Sequence, residues 1–172
     1  QMALTKVIGD GLATSGLPAG CVLQVVSVTK TSSFSTTSTS YVDVTGLTLA
    51  ITPSSSSNKI LIQVTMAAAS TTGASHGYYQ LLRDSTAIAV ADSAGSRTSS
   101  TMVVYTDDSP AMVNPSVCHL DSPSTTSEIT YKIQLKASSA NAVYVNRSGR
   151  DNDAAAADGR AVSTITAMEI GA

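Results

Sequence analysis

The chain has 172 residues, enough for one hydrophobic core and marginal for two, so a single domain is expected. Only 13 % of the residues are charged and the formal net charge is −2, which leaves no cationic surplus to hold a nucleic-acid backbone or an anionic membrane surface. More than a quarter of the chain is Ser or Thr, yet its aliphatic residues gather in short blocks between Ser/Thr/Gly stretches, the pattern of strands divided by polar turns rather than of disorder.

Gln1 before Met2 marks either a start inside a longer polypeptide or an added residue. After Met2, Lys6 and Asp10 interrupt any signal core, and no apolar run approaches the about eighteen residues of a membrane helix, so a soluble chain without membrane insertion is expected. Residues 1–20 hold four Gly, a Pro and little periodicity, which reads as an N-terminal arm or linker ahead of a domain over 21–172. From Cys21 the pattern changes. Val22 to Val28 is a nearly continuous apolar run, expected to be a strand buried on both faces or lying at a subunit contact. Thr29 to Ser40 is almost all Ser and Thr around Phe34, suited to a loop or a weak edge strand.

Tyr41 to Val44 and Leu47 to Thr52 read as two strands around Thr45 and Gly46, stopped by Pro53 and four serines. In KILIQVTM, Ile60, Ile62, Val64 and Met66 alternate with Lys59, Leu61, Gln63 and Thr65, which assigns one face to the core and the other mostly to solvent. Tyr78 to Arg83 and Thr86 to Val90 flank Asp84 and Ser85 with hairpin spacing, and Thr101 to Thr106 follows after a polar loop. EITYKIQLK alternates Ile129, Tyr131, Ile133 and Leu135 against polar residues without a break. Ala142 to Val145 gives a short strand and Val162 to Ile170 a final one, in which Val162, Thr164, Thr166, Met168 and Ile170 alternate as one face, with only AAAADG briefly helix-like. About eight to ten short strands without intervening helices predict an all-β, jelly-roll-like antiparallel β-sandwich.

The chemistry-bearing residues are sparse. His76 and His119 with Cys21 and Cys118 match no paired zinc spacing, and no serine lies in a G-x-S-x-G elbow. Both cysteines sit beside apolar residues and are expected to be buried reduced thiols, a disulfide remaining an alternative. Asp84, Asp92, Asp107 and Asp108 look like turn residues, and Asp107 and Asp108 shape a turn with Pro110. Trp, the usual sugar platform of glycan-cleaving sites, is absent. No catalytic residues and no cofactor are expected. The loop GRDNDAAAADGR offers Asp151, Asn152, Asp153 and Asp158 as calcium-type oxygen donors, but it lacks the regular D-x-D-x-D-G order and holds neutralising arginines at 147, 150 and 160. A solvated or subunit-contacting loop is the favoured reading. Tyr131 is expected in the core; Tyr78, Tyr79, Tyr105 and Tyr144 suit either the core or an amphipathic binding surface, and His76 reads as a loop residue beside them.

Several segments carry a resemblance. Val25 through Pro53, YVDVTGLTLAITPSSSSNKILIQV, GYYQLLRDST, HLDSPSTTSEITYKIQLKA and VYVNRSGRDNDAAAADGRAVSTITAMEI resemble tail-fibre and structural proteins of marine and environmental bacteriophages, as does MALTKVIGDGLA at the start. The resemblance implies a virion component with a compact β-sandwich head, commonly a homotrimer and often at a receptor-contacting tip. Adhesion to a host-surface glycan or protein without catalysis is then the first expectation, with His76, Tyr78, Tyr79 and Tyr105 as candidate contacts. Val22, Leu23, Val25 and Val26 are the candidate subunit interface, and the N-terminal arm the link to other virion proteins. A capsid decoration or head-fibre protein docked to the shell is the alternative, and an adhesive module of a bacterial surface protein a third reading.

Overall fold

The structure, a computed structural model, describes residues 17–70, 75–107, 111–153 and 156–172. Most of the expected arm, part of the AAAADG stretch, and Asp108 with Pro110 lie outside the described residues.

Twelve strands run in chain order among the described residues: β1 (Val22–Lys30), β2 (Phe34–Thr36), β3 (Val42–Ile51), β4 (Lys59–Thr65), β5 (Ala68–Ser70), β6 (Gly77–Arg83), β7 (Thr86–Ile88), β8 (Met102–Val104), β9 (Ser116–Asp121), β10 (Ile129–Ala137), β11 (Val143–Val145) and β12 (Ser163–Ile170). One sheet has the order β1-β12-β4-β9 and the other β3-β10-β6-β7, with β8 pairing the remaining length of β6. Every pairing is antiparallel. Successive strands cross between the sheets in the order of two interlocked Greek keys, so the sandwich is a jelly roll. The short strands β2, β11 and β5 form a third sheet, into which the chain bends after β1 and β4.

Alternation builds the core. Ile60, Ile62 and Val64 of β4 and Ile165 and Ala167 of β12 face Val44, Leu47 and Leu49 of β3, Tyr131, Ile133 and Leu135 of β10, and Tyr79 and Leu81 of β6. The two most regular sequence segments are thus the strands packed between neighbours on both sides. β9 belongs to no element read from the sequence, because its inward residues, Val117, His119 and Asp121, lack the usual apolar signature.

Three readings change. Gly46 is a bulge and not a turn: β3 is one strand in which Val44 to Leu47 stand opposite Ile133, since Asp43 pairs Gln134 and Thr48 pairs Lys132. The positive φ of 86° at Gly46 lets both Val44 and Leu47 point inward, which an L side chain would resist. The Val22–Val28 run is not buried on both faces, because β1 is an edge strand whose Val26 and Val28 pack on the core while Val22 and Val25 are exposed. In β12 the buried residues are Ser163, Ile165, Ala167 and Glu169, so its apolar Met168 and Ile170 point outward.

Candidate functional site

Antiparallel register assembles an aromatic strip on the outer face of the larger sheet. Tyr78 of β6 lies opposite Lys136 of β10 on one side and Val103 of β8 on the other. Leu135 pairs Val42, so the next pair outward sets Lys136 beside Tyr41. The Lys136 Nζ sits 5.0 Å from the centre of the Tyr41 ring and 5.6 Å from that of Tyr78, a cation between two phenol rings. Two residues before Tyr78 on the same face, His76 stacks on Tyr105 with ring centres 4.7 Å apart and stands 6.3 Å from Tyr78. The backbone around His76 is fixed: its N–H donates to Ser138 Oγ at 2.8 Å and its carbonyl accepts from Ser138 N–H at 2.9 Å.

The strip is therefore Tyr41, Lys136, Tyr78, His76 and Tyr105 across β3, β10, β6 and β8. Val103 and Tyr105 are 52 % and 43 % exposed, and His76 is also exposed. The Tyr105 hydroxyl donates to Asp107 at 3.1 Å, and that bond raises its pKa and keeps the phenol neutral. The Tyr41 hydroxyl is buried without a hydrogen-bond partner among the described residues, and burial, aided by Tyr78, raises its pKa as well. Next to the strip, Asp43 accepts from Lys132 Nζ at 2.9 Å and from Gln134 Nε2 at 2.7 Å, and the Lys132 bond leads in lowering its pKa.

Three of the four expected contact residues, His76, Tyr78 and Tyr105, are brought together here. Tyr79 is not among them. Its side chain faces the core with no exposure, its hydroxyl donating to the Tyr144 carbonyl at 3.4 Å, because neighbouring strand residues point to opposite faces. Lys136 and Tyr41 escaped sequence reasoning; the only available signal was the outward position of Lys136 in EITYKIQLK, and its pairing with Tyr78 depends on a register no local pattern encodes.

The acidic loop is a closed ion-pair network. Asp158 accepts from Arg150 Nε at 2.8 Å, Ser148 Oγ at 2.7 Å and the Asn152 N–H at 2.9 Å, and the Arg150 bond leads in holding its pKa low. Asp151 pairs with Arg160 at 2.8 Å and Arg147 at 3.3 Å, while Asp153 lies exposed in a turn. The carboxylates at 151 and 158 are thus turned toward arginines, and among the described residues no three His, Cys, Asp or Glu side chains gather in a metal-binding group.

The histidines belong to different sides of the sandwich, His76 just before β6 and His119 on β9. Cys21 is half-buried before β1, and Cys118 is exposed on β9, contrary to the expectation of a buried thiol. Both are free, and they lie at opposite edges of one four-stranded sheet, three strand spacings or about 14 Å apart across it and further separated along it, since Cys118 shares a row with Ser27, so they are beyond disulfide reach.

The outer face of that four-stranded sheet is a second surface feature. Register aligns Val25, Met168, Leu61 and Leu120 in one apolar row across β1, β12, β4 and β9, with Val25 57 % and Leu120 47 % exposed. Beyond it on one side run rows of Ser, Thr, Gln and Cys, on the other side stand Val22, Ile170 and Lys59, and Lys59 at this corner is the one charged side chain on the face among the described residues. Of the expected interface residues, Val22 and Val25 border this face, Leu23 is half-buried, and Val26 packs on the core.

No protein-family model matches the chain, and no curated protein matches it in sequence.

Proposed function

We propose that the chain is a bacteriophage virion component, a tail-fibre or receptor-binding head that adheres to the host surface without covalent chemistry. The observation that carries this reading is the strip of exposed His76 and Tyr105 and half-buried Tyr78, rings set by paired strands on one outer face of the sandwich. Aromatic side chains with few rotatable bonds give large contact area at low entropic cost, which suits repeated binding to a polar surface. The extended segments that resemble phage fibre proteins support the virion assignment, and the separation of the histidines and the arginine-paired aspartates fit adhesion better than catalysis.

The homotrimer belongs to the same proposal. Its support is the outer face of the β1-β12-β4-β9 sheet, charged only at the Lys59 corner, whose apolar row reaches the edge strand β1. An exposed edge and an apolar row are both liabilities that copies packed around an axis would cover.

The adhesion reading is tested by passing the purified chain over immobilised bacterial envelope polysaccharides and over host cells. Retention that falls about fivefold or more in Tyr105→Ala, with an unchanged unfolding midpoint, is expected. Equal retention of the variant, or none by the wild type, overturns the assignment of the strip.

A further inference from the structure

We propose that the aromatic strip takes an anionic saccharide, a sugar bearing a carboxylate or a phosphate, and that Lys136 is the residue that reads its charge. This rests on the adhesion reading and names the ligand class for it.

The first observation is the state of Lys136. Arg83, Lys132, Arg147, Arg150 and Arg160 each form an ion pair with an aspartate, whereas no carboxylate pairs with Lys136 among the described residues. Its ammonium is held instead between the Tyr41 and Tyr78 rings. Ring faces attract the cation without neutralising it, and they fix its position, so part of the ordering cost of binding is met before a ligand arrives. The second observation is the acid closest in the register. Asp43, opposite Gln134, accepts from Lys132 on one oxygen and from Gln134 on the other, and its ion pair is with Lys132, not Lys136. The net positive end of the strip is therefore open to an anion from outside.

The third observation is what lies beside that cation. From β10 to β8 is two strand spacings, about 10 Å, and over this distance the surface changes from the Lys136 ammonium to the exposed Val103 and Tyr105. A short oligosaccharide with an anionic substituent at one end and C–H faces on its rings meets both requirements at once. A bare anion uses only the first, and a neutral sugar only the second.

Titration of the 15N-labelled 172-residue chain by NMR with trigalacturonic acid, mannose 6-phosphate, maltotriose and inorganic phosphate tests this. One or both anionic sugars are expected to bind more tightly than maltotriose and than inorganic phosphate, and the arm that binds identifies carboxylate or phosphate as the source of charge. Lys136→Gln should weaken the anionic sugar about tenfold and change maltotriose less than twofold, and Lys136→Arg should restore most of the loss. Raising salt from low to high ionic strength should weaken only the anionic sugar. If wild type binds maltotriose and the acidic sugars equally, or if Lys136→Gln weakens all sugars alike, charge reading by Lys136 is refuted while adhesion by the strip stands. If inorganic phosphate binds as tightly as mannose 6-phosphate, the saccharide half is refuted. If no saccharide perturbs the strip at all, the adhesion reading falls with it.

Discussion

Replacing Asn146 by Ala should remove a large part of the stability of the sandwich, although no hydrophobic contact is deleted. Asn146 is fully buried just after β11. Its Nδ2 donates to the carbonyls of Lys30 at 2.7 Å and Ser32 at 3.0 Å, and its Oδ1 accepts from Ser163 Oγ at 2.6 Å. Ser163 Oγ in turn accepts from the Ala67 N–H at 3.0 Å, so one side chain ties the end of β1, the bend after β4 and the start of β12. Its backbone is left-handed, with φ of 63°, a conformation Asn tolerates better than Ala. The Ala variant strands the buried Lys30 carbonyl and the Ser163 hydroxyl at about 1–3 kcal/mol each and adds about 1 kcal/mol of backbone strain. The expected loss is about 3–7 kcal/mol, against the roughly 5–15 kcal/mol that holds a domain together. Asn146→Gly keeps the same orphaned groups without the strain and should recover about 1 kcal/mol relative to Ala. Urea unfolding followed by circular dichroism at neutral pH measures both. An Ala variant within about 1 kcal/mol of wild type refutes the network account, and a Gly variant no better than Ala refutes the strain component.

Glu169, buried in β12, accepts from Ser54 N–H at 2.7 Å, Ser54 Oγ at 2.8 Å, Asn58 Nδ2 at 2.6 Å and Gln24 Nε2 at 2.6 Å. Burial, the largest single influence, raises its pKa, but the four donors together outweigh it and the net shift is downward from 4.5. A folded pKa below the unfolded one means that its stabilisation is present above about pH 4.5 and lost as pH falls through the folded value, so the urea midpoint should drop between pH 6 and pH 3. Glu169→Gln should flatten that drop, leaving the smaller part due to Asp43 and Asp158; an unchanged pH profile would contradict this role of the Glu169 carboxylate. On the outer face of the same sheet, Val25→Lys and Leu120→Lys should leave the unfolding midpoint of the isolated chain within about 0.5 kcal/mol, since both side chains are largely exposed. Light scattering should then show a trimer mass for wild type and a monomer mass for the double variant, and a monomeric wild type would defeat the trimer.

What could be read from the chain and what could not divides along the sheets themselves. KILIQVTM and EITYKIQLK were legible because β4 and β10 have neighbours on both sides, so one face meets core and the other solvent, and the pattern records that difference directly. At the edges the rule weakens. β1 reads as apolar on both sides because Val25 belongs to the outward row with Met168, Leu61 and Leu120. β12 has neighbours on both sides and still reads with its faces reversed, since the inward Ser163 and Glu169 are polar residues satisfied by Asn146, Ser54 and Asn58, partners far along the chain. Gly46 looks like a turn until its pairing with β10 shows a bulge.

The candidate site follows the same logic. Residue type pointed to His76, Tyr78 and Tyr105, but Lys136 and Tyr41 enter only through the registers of β10 with β6 and with β3. Those registers are fixed by the core, because a slip of one residue in β6 would bring the buried Tyr79 to the surface and take Tyr78 from the Lys136 ammonium into the interior. The burial of Tyr79 and the exposure of the strip are therefore one fact about β6, and the side chain that does not belong to the site is the one that sets the others in place.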